Sequence, residues 1–144
     1  MCYTMIVEQT KQYSKRMRYD PETNSFYEGK HESLMHFRQF LQPYGWIKES
    51  GTPPQPHWDV ILMTEKAFDL GDEIEVKVIG VFKRDDGDHK FIAVEKHRSI
   101  DDFSQLDDCE KNDLFRLYPR VDAGEGWFGR EDAENTMISC EKAW

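Results

Sequence analysis

Residues 85–90 read Asp85-Asp86-Gly87-Asp88-His89-Lys90, the densest candidate chemistry in the chain. Three carboxylates on one tight turn can converge on a point. Magnesium takes one or two carboxylates together with phosphate oxygens and water. Lys90 follows Asp88 by two positions, so on an extended strand the two side chains share a face. An ammonium beside a metal is what a phosphoryl oxygen needs for charge stabilisation. On its own such a sequence is an ordinary polar turn, since Asp and Gly are turn formers. A calcium loop of the helix–loop–helix kind does not fit, because a strand precedes the turn.

Those side chains need a frame, and the flanking pattern supplies one. Glu73–Lys83 reads as a long strand, with Ile74, Val76, Val78 and Phe82 on one face and Glu73, Glu75 and Lys77 on the other at its start. Lys90–Glu95 reads as its partner, and Gly87 supplies the positive φ of the connecting turn. Three further strands are expected over residues 3–8, 25–28 and 59–63. The second returns from the turn Asp20-Pro21-Glu22-Thr23-Asn24. Residues 51–56 hold three prolines and read as a stiff loop without regular pairing. Helices are expected over residues 107–117, burying Leu114, Phe115 and Leu117, and over residues 130–144, with Ala133, Met137, Cys140 and Trp144 in one stripe. Five strands followed by two C-terminal helices predict an α+β fold, mainly β, with a small barrel and a single domain over residues 1–144.

The chain has 144 residues, 38% hydrophobic and 13% aromatic, enough to build a core. A formal charge of −9 argues against nucleic acid and against an anionic membrane as partners, because both call for basic patches. The basic run Lys11, Lys15, Arg16 and Arg18 is the exception, and reads equally as an anion site or a solvated face. Cys2, Cys109 and Cys140 are widely spaced and form no CxxC, so a structural zinc site is not expected and three free thiols suit a reducing compartment. No stretch approaches the ~20 apolar residues of a spanning helix. The first seven residues lack the basic residues of a signal peptide, so a cytoplasmic location is the expectation. There is no serine-nucleophile motif, no GxGxxG and no P-loop.

The order of these features resembles the soluble, family I inorganic pyrophosphatases. Val78-Ile79-Gly80-Val81-Phe82-Lys83 with the acidic turn and Lys90-Phe91-Ile92-Ala93-Val94 is the strongest likeness. Tyr19-Asp20-Pro21-Glu22-Thr23-Asn24 resembles an early turn of that family, and Gln42-Pro43-Tyr44-Gly45-Trp46-Ile47 resembles its Tyr-Gly segment. Leu117-Tyr118 and the closing helix are similar to its tail. The resemblance implies a five-stranded OB-like β-barrel, Mg²⁺ dependence (with Mn²⁺ or another divalent metal as substitutes), a diphosphate or another phosphorylated small molecule as ligand, and a homo-oligomer.

Carried over residue by residue, the resemblance implies metal ligands at Asp59, at Asp86 or Asp85, at Asp88 and at Glu8 on the first strand. It implies phosphate-binding groups at Arg16, Lys30, Tyr44, Lys90 and Tyr118, with Tyr44, Asp59 and Lys90 taking part in catalysis. The departures are concentrated in one loop. The family's central D-x-D-P-x-D motif supplies three carboxylates, whereas Pro53-Pro54-Gln55-Pro56-His57-Trp58-Asp59 retains only Asp59. Arg18 stands where a glutamate is expected, and Pro119 where a lysine follows the tyrosine. Gln55 cannot accept a proton as a carboxylate can, and His57 becomes the candidate base, its ordinary pKa lying near neutrality. Two functions follow: a phosphoanhydride hydrolase with a reduced carboxylate set, or a pyrophosphatase-like protein without turnover that binds a phosphorylated ligand or a protein partner.

Overall fold

The structure, a computed structural model, describes residues 2–119 and 121–143, the last four of these as backbone only. In chain order, β1 (Cys2–Gln9) leads into a hairpin of β2 (Lys15–Asp20) and β3 (Ser25–Glu32). A short helix α1 (Leu34–Phe37) precedes β4 (Tyr44–Ile47) and β5 (Asp59–Leu62). Then come β6 (Glu73–Lys83), β7 (Lys90–Glu95), α2 (Asp108–Leu117), β8 (Gly126–Gly129) and α3 (Arg130–Ala143). Neighbours run β1-β4-β5-β7-β6, and β6 returns to β1, so five strands close a barrel. β8 adds to the far edge of β6, and β2 and β3 form a separate two-stranded sheet. Among the described residues, no helix is long and apolar enough to cross a membrane.

The predicted barrel and its two C-terminal helices are present, with one exchange of strand. Residues 25–28 pair with β2 outside the barrel, and β4 takes the fifth place. β4 is four residues long and buried throughout, so it shows no alternation by which a strand can be read. The central strands β5 and β7 are buried on both faces. Val60, Leu62, Phe91 and Ala93 join a core that also takes Ala133 and Met137 of α3. Ile61, Met63, Ile92 and Val94 join a second core under α1 and α2. Each such side chain contributes roughly 1.5–3 kcal/mol by leaving water. In the last helix the expected stripe is seen at Ala133 and Met137, while the Cys140 side chain and Trp144 lie outside the described residues.

Two expectations fail for local reasons. A β-bulge between Val78 and Gly80 resets the alternation of β6. Val76, Val78 and Val81 therefore share one core, and Phe82 turns to the other side against Tyr118 and Trp127. On α2, Leu114 and Leu117 are fully buried, but Phe115 points away from their face and stays 40% exposed beside Trp127. The helix itself begins as its sequence dictates: Asp107 accepts from the Glu110 amide and Glu110 reaches back to the Asp107 amide.

Gly45 marks the tightest approach in the barrel. A Cβ there would lie 1.8 Å from the Ile6 carbonyl oxygen, which is backbone and cannot swing aside. Gly87, at φ +82, has nothing within 4 Å of its absent Cβ. Gly45→Ala is therefore expected to lose roughly 3 kcal/mol or more through overpacking. Gly87→Ala should lose only about 1–2 kcal/mol from its left-handed backbone. Urea unfolding midpoints of the two variants check the order.

Candidate functional site

At one end of the barrel lies a cleft of about 750 Å³ whose floor carries Lys90 and Asp59. These are the first residues of β7 and β5, and the parallel pairing of the two strands sets them side by side. Lys90 is only 6% exposed. Its ammonium has three donors and three partners: Asp59 Oδ2 at 2.9 Å, Asp88 Oδ2 at 3.0 Å and the Tyr44 hydroxyl at 3.0 Å. Burial works to discharge the lysine, but Asp59, Tyr118 and Asp88 together outweigh it and raise the pKa. Burial pushes the Tyr44 phenol well up, so it stays neutral.

Asp59 is held from both sides. Its second oxygen lies 3.1 Å from His57 Nε2, and His57 Nδ1 lies 2.7 Å from the Gln55 carbonyl oxygen. Since a carbonyl can only accept, Nδ1 is the donor there. Burial opposes ionisation of Asp59, yet the hydrogen bond from His57 and the Lys90 charge hold its carboxyl well below the usual range. Burial likewise opposes charge on His57, and its hydrogen bonds to Asp59 and the Gln55 carbonyl together with the Asp59 and Glu8 charges prevail, raising its pKa.

A second pair forms the adjoining wall. Arg16 Nη2 lies 3.0 Å from Glu8 Oε1, and its guanidinium sits 5.1 Å from the Tyr44 ring centroid. Burial raises the Glu8 pKa, and Arg16 counters this only in part. Gln9 fixes the arrangement: its Oε1 accepts from the Met17 amide at 2.7 Å and from Arg16 Nη1 at 3.3 Å, while its Nε2 donates to the Lys15 carbonyl at 3.2 Å.

Of the residues singled out in the sequence, Glu8, Arg16, Tyr44, His57, Asp59, Asp88 and Lys90 line this one cleft. Tyr118 borders a smaller adjoining chamber of about 170 Å³ that shares Arg16, Tyr44 and Lys90 with it. Three residues stand elsewhere. Asp86 is exposed, and its carboxylate accepts from the Asp88 amide at 2.9 Å, which closes the turn rather than facing the cleft. Asp85 donates its amide to Glu125 at 3.0 Å and groups with Asp122 and Glu125 on the outer surface. Lys30 is exposed in a bulge, because the register shift between Lys15 and Met17 sets residues 29–31 against Arg16 alone.

Sequence reasoning passed over Arg84 and Tyr27, and read Arg18 only within a basic run and as a departure from the family pattern. Arg84 flanks the acidic turn, 3.7 Å from Asp86 and 3.8 Å from Asp88, with its guanidinium 5.9 Å from the Tyr118 ring centroid. It lines the smaller chamber beside Tyr118. A lone arginine next to an acidic turn was the available signal. Arg18 and Tyr27 are directly opposite in the β2–β3 register and both line the cleft. Nothing in sequence alone brings that hairpin over the barrel. Glu8, Asp59 and Asp88 line the cleft as hard oxygen donors of the kind magnesium takes, while among the described residues the acidic group whose ligand atoms lie within 4.8 Å of one another is Asp85, Asp122 and Glu125 on the outer surface.

The family model for inorganic pyrophosphatase matches residues 5–144. The chain belongs to the inorganic pyrophosphatase family. Solved structures agree on the fold. An inorganic pyrophosphatase from Ehrlichia chaffeensis superposes with a TM-score of 0.73 at 21% identity, over 96% of this chain and 92% of that one. One from Neisseria gonorrhoeae gives 0.72 at 20%, over 99% and 89%. One from Helicobacter pylori gives 0.71 at 16%, over 97% and 91%. No curated protein matches the sequence. Family membership thus rests on nearly the whole length, while the identities leave room for a rebuilt site.

The Asp59–His57 contact has a measurable signature. Because the folded pKa of His57 is raised above 6.5, its stabilising contribution is complete below that value and is lost as pH rises through the folded pKa. In a pH titration followed by ring-proton NMR, His57 should titrate above 6.5, and Asp59→Asn should bring its midpoint down.

Proposed function

We propose that the chain is a divalent-metal-dependent hydrolase of a phosphoanhydride, with inorganic diphosphate as the substrate class and a reduced carboxylate set around the metal. The observation that carries this reading is the Lys90 ammonium, fixed between Asp59 and Asp88 on the floor of a cleft. Glu8, Asp59 and Asp88 would hold Mg²⁺, or Mn²⁺ in its place. When bound, the metal would neutralise phosphate charge and lower the pKa of water.

The chain's own groups divide the rest of the work. Lys90 and Arg16 meet phosphate oxygens, Lys90 as a point charge and Arg16 as a fork. The hydroxyls of Tyr44 and Tyr118 are neutral donors at the junction of the two chambers. Arg84, over the Tyr118 ring, returns the positive charge that Pro119 does not supply. His57 holds its proton more firmly than an ordinary histidine, so it suits positioning Asp59 better than abstracting a proton from water. Lys30, Asp85 and Asp86 have no part in this arrangement.

One observation favours the second reading, a binder of phosphorylated ligands without turnover. The loop of Pro53, Pro54 and His57 lines the cleft without a single carboxylate before Asp59. General acid–base help is worth typically about 10²–10⁴-fold, and that loop is where the family keeps its base.

Phosphate release from diphosphate separates the two. With Mg²⁺ or Mn²⁺, release is expected, and Lys90→Ala should slow it by roughly 10²–10³-fold, as for loss of one transition-state charge contact. If no phosphate forms with Mg²⁺, Mn²⁺ or Zn²⁺ while calorimetry records diphosphate binding, the protein is the binder. Calorimetry of Mg²⁺ alone on Asp88→Ala tests the metal assignment, and unchanged affinity removes Asp88 from it.

A further inference from the structure

The cleft is larger and less polar than two phosphates require. Its inner end holds the charged and hydroxyl groups around Lys90, but its outer wall is formed by Tyr27, Pro53 and Pro54. Tyr27 stands 54% exposed, an aromatic ring kept in water beside a phosphate-type site. Its position follows from the hairpin. Arg18 and Tyr27 are cross-strand partners, so their side chains rise from the same face. Arg16, at the register shift before Met17, lines the same cleft as Arg18. Arg18 lies over Gly29, where a Cβ would be 3.5 Å from Arg18 Cγ in ordinary contact but only 2.5 Å from the Arg16 carbonyl oxygen. One wall therefore runs from a half-buried arginine, through an exposed arginine, to an open aromatic ring.

Diphosphate is charged at every surface and gains nothing from an aromatic ring or from proline. A planar organic group gains from all three: tyrosine and guanidinium faces stack on it, and rigid prolines confine it without loss of loop entropy. The volume of about 750 Å³ lies within the range of sites for drug-sized ligands.

Building on the proposed phosphate site, we infer that the cleft takes a diphosphate ester carrying a planar heteroaromatic group, of the nucleoside diphosphate class. Its phosphates lie toward Lys90 and Arg16, and its ring lies against Tyr27, with Arg18 between them and the Pro53-Pro54 segment opposite.

A matched pair of non-hydrolysable probes tests this without relying on turnover. Calorimetry in Mg²⁺ compares methylenediphosphonate with α,β-methylene-ADP, which differ by the adenosine group. The nucleotide is expected to bind about tenfold tighter or more, the scale of one base stacked on an aromatic side chain. That ratio should fall toward unity in Tyr27→Ala and be kept in Tyr27→Phe. Equal affinities, or a weaker nucleotide, overturn the inference and leave the diphosphate reading standing. A preference that survives Tyr27→Ala overturns the assignment of the ring to this wall. Binding of neither probe overturns the phosphate site and the inference together.

Discussion

The parallel pairing of β5 with β7 is the constraint on which the site depends. Every other pairing in the barrel is antiparallel, so this one cannot be made by a short turn; the whole of β6 intervenes between the two strands. Its register sets Asp59 against Lys90 at the first residue of each strand. Two charges are thereby taken out of water together, and neither is tolerable alone. Breaking such a buried pair from one side costs typically about 3–5 kcal/mol, because the remaining charge is left uncompensated. The pair also holds the ammonium in one place before any ligand arrives. An anchored lysine loses little side-chain freedom on binding, which is where affinity at a small polar site is easily lost.

This constraint explains which parts of the molecule were legible in the sequence. The β6–β7 hairpin could be read because its turn chemistry and its apolar runs agree. Asp88 and Lys90 could be paired from the two-residue period alone. Asp59 was placed beside them only through the family resemblance, since no local rule gives the register of a parallel pair. Phe82 was assigned to the wrong face because a bulge leaves no mark in periodicity. Asp85 and Asp86 were counted with Asp88 because a turn reads as one acidic cluster. In three dimensions its short side chains satisfy the turn's own amides or face outward. The β2–β3 hairpin is the largest omission. It supplies Arg16, Arg18 and Tyr27, and its docking depends on Tyr19 and Phe26 packing on Trp46, a contact between distant segments.

Against the family pattern that the sequence resembles, the proposed site is a redistribution of charge more than a loss. The proline loop holds no carboxylate before Asp59, and β2 carries Arg18. Pro119 brings no cation beside Tyr118, and Arg84, in the turn just past β6, lies over the Tyr118 ring. The net effect moves the cleft in the positive direction at its outer end, where the exposed tyrosine and the prolines also lie. Loop and hairpin thus lie along one wall, and the β5–β7 pairing forms the floor.

Charge balance in the cleft then bears on how an anion can enter it. Glu8, Asp20, Asp59 and Asp88 face Arg16, Arg18 and Lys90, with His57 as a further cation below its raised pKa. The acids and bases are close to cancelling, and several are paired with one another. A multiply charged phosphate ligand would find no large excess of positive charge to neutralise it. Lys90 cannot be released from Asp59 without leaving both desolvated, and Arg16 stands in the same relation to Glu8. The cleft can admit such a ligand by gaining positive charge from outside, and a divalent cation on Glu8, Asp59 or Asp88 does so without breaking a buried pair, because each carboxylate has two oxygens and a lone-pair capacity beyond one partner. Under the proposed function, metal dependence would follow from this electrostatic closure, for a bare diphosphate and for a diphosphate ester alike.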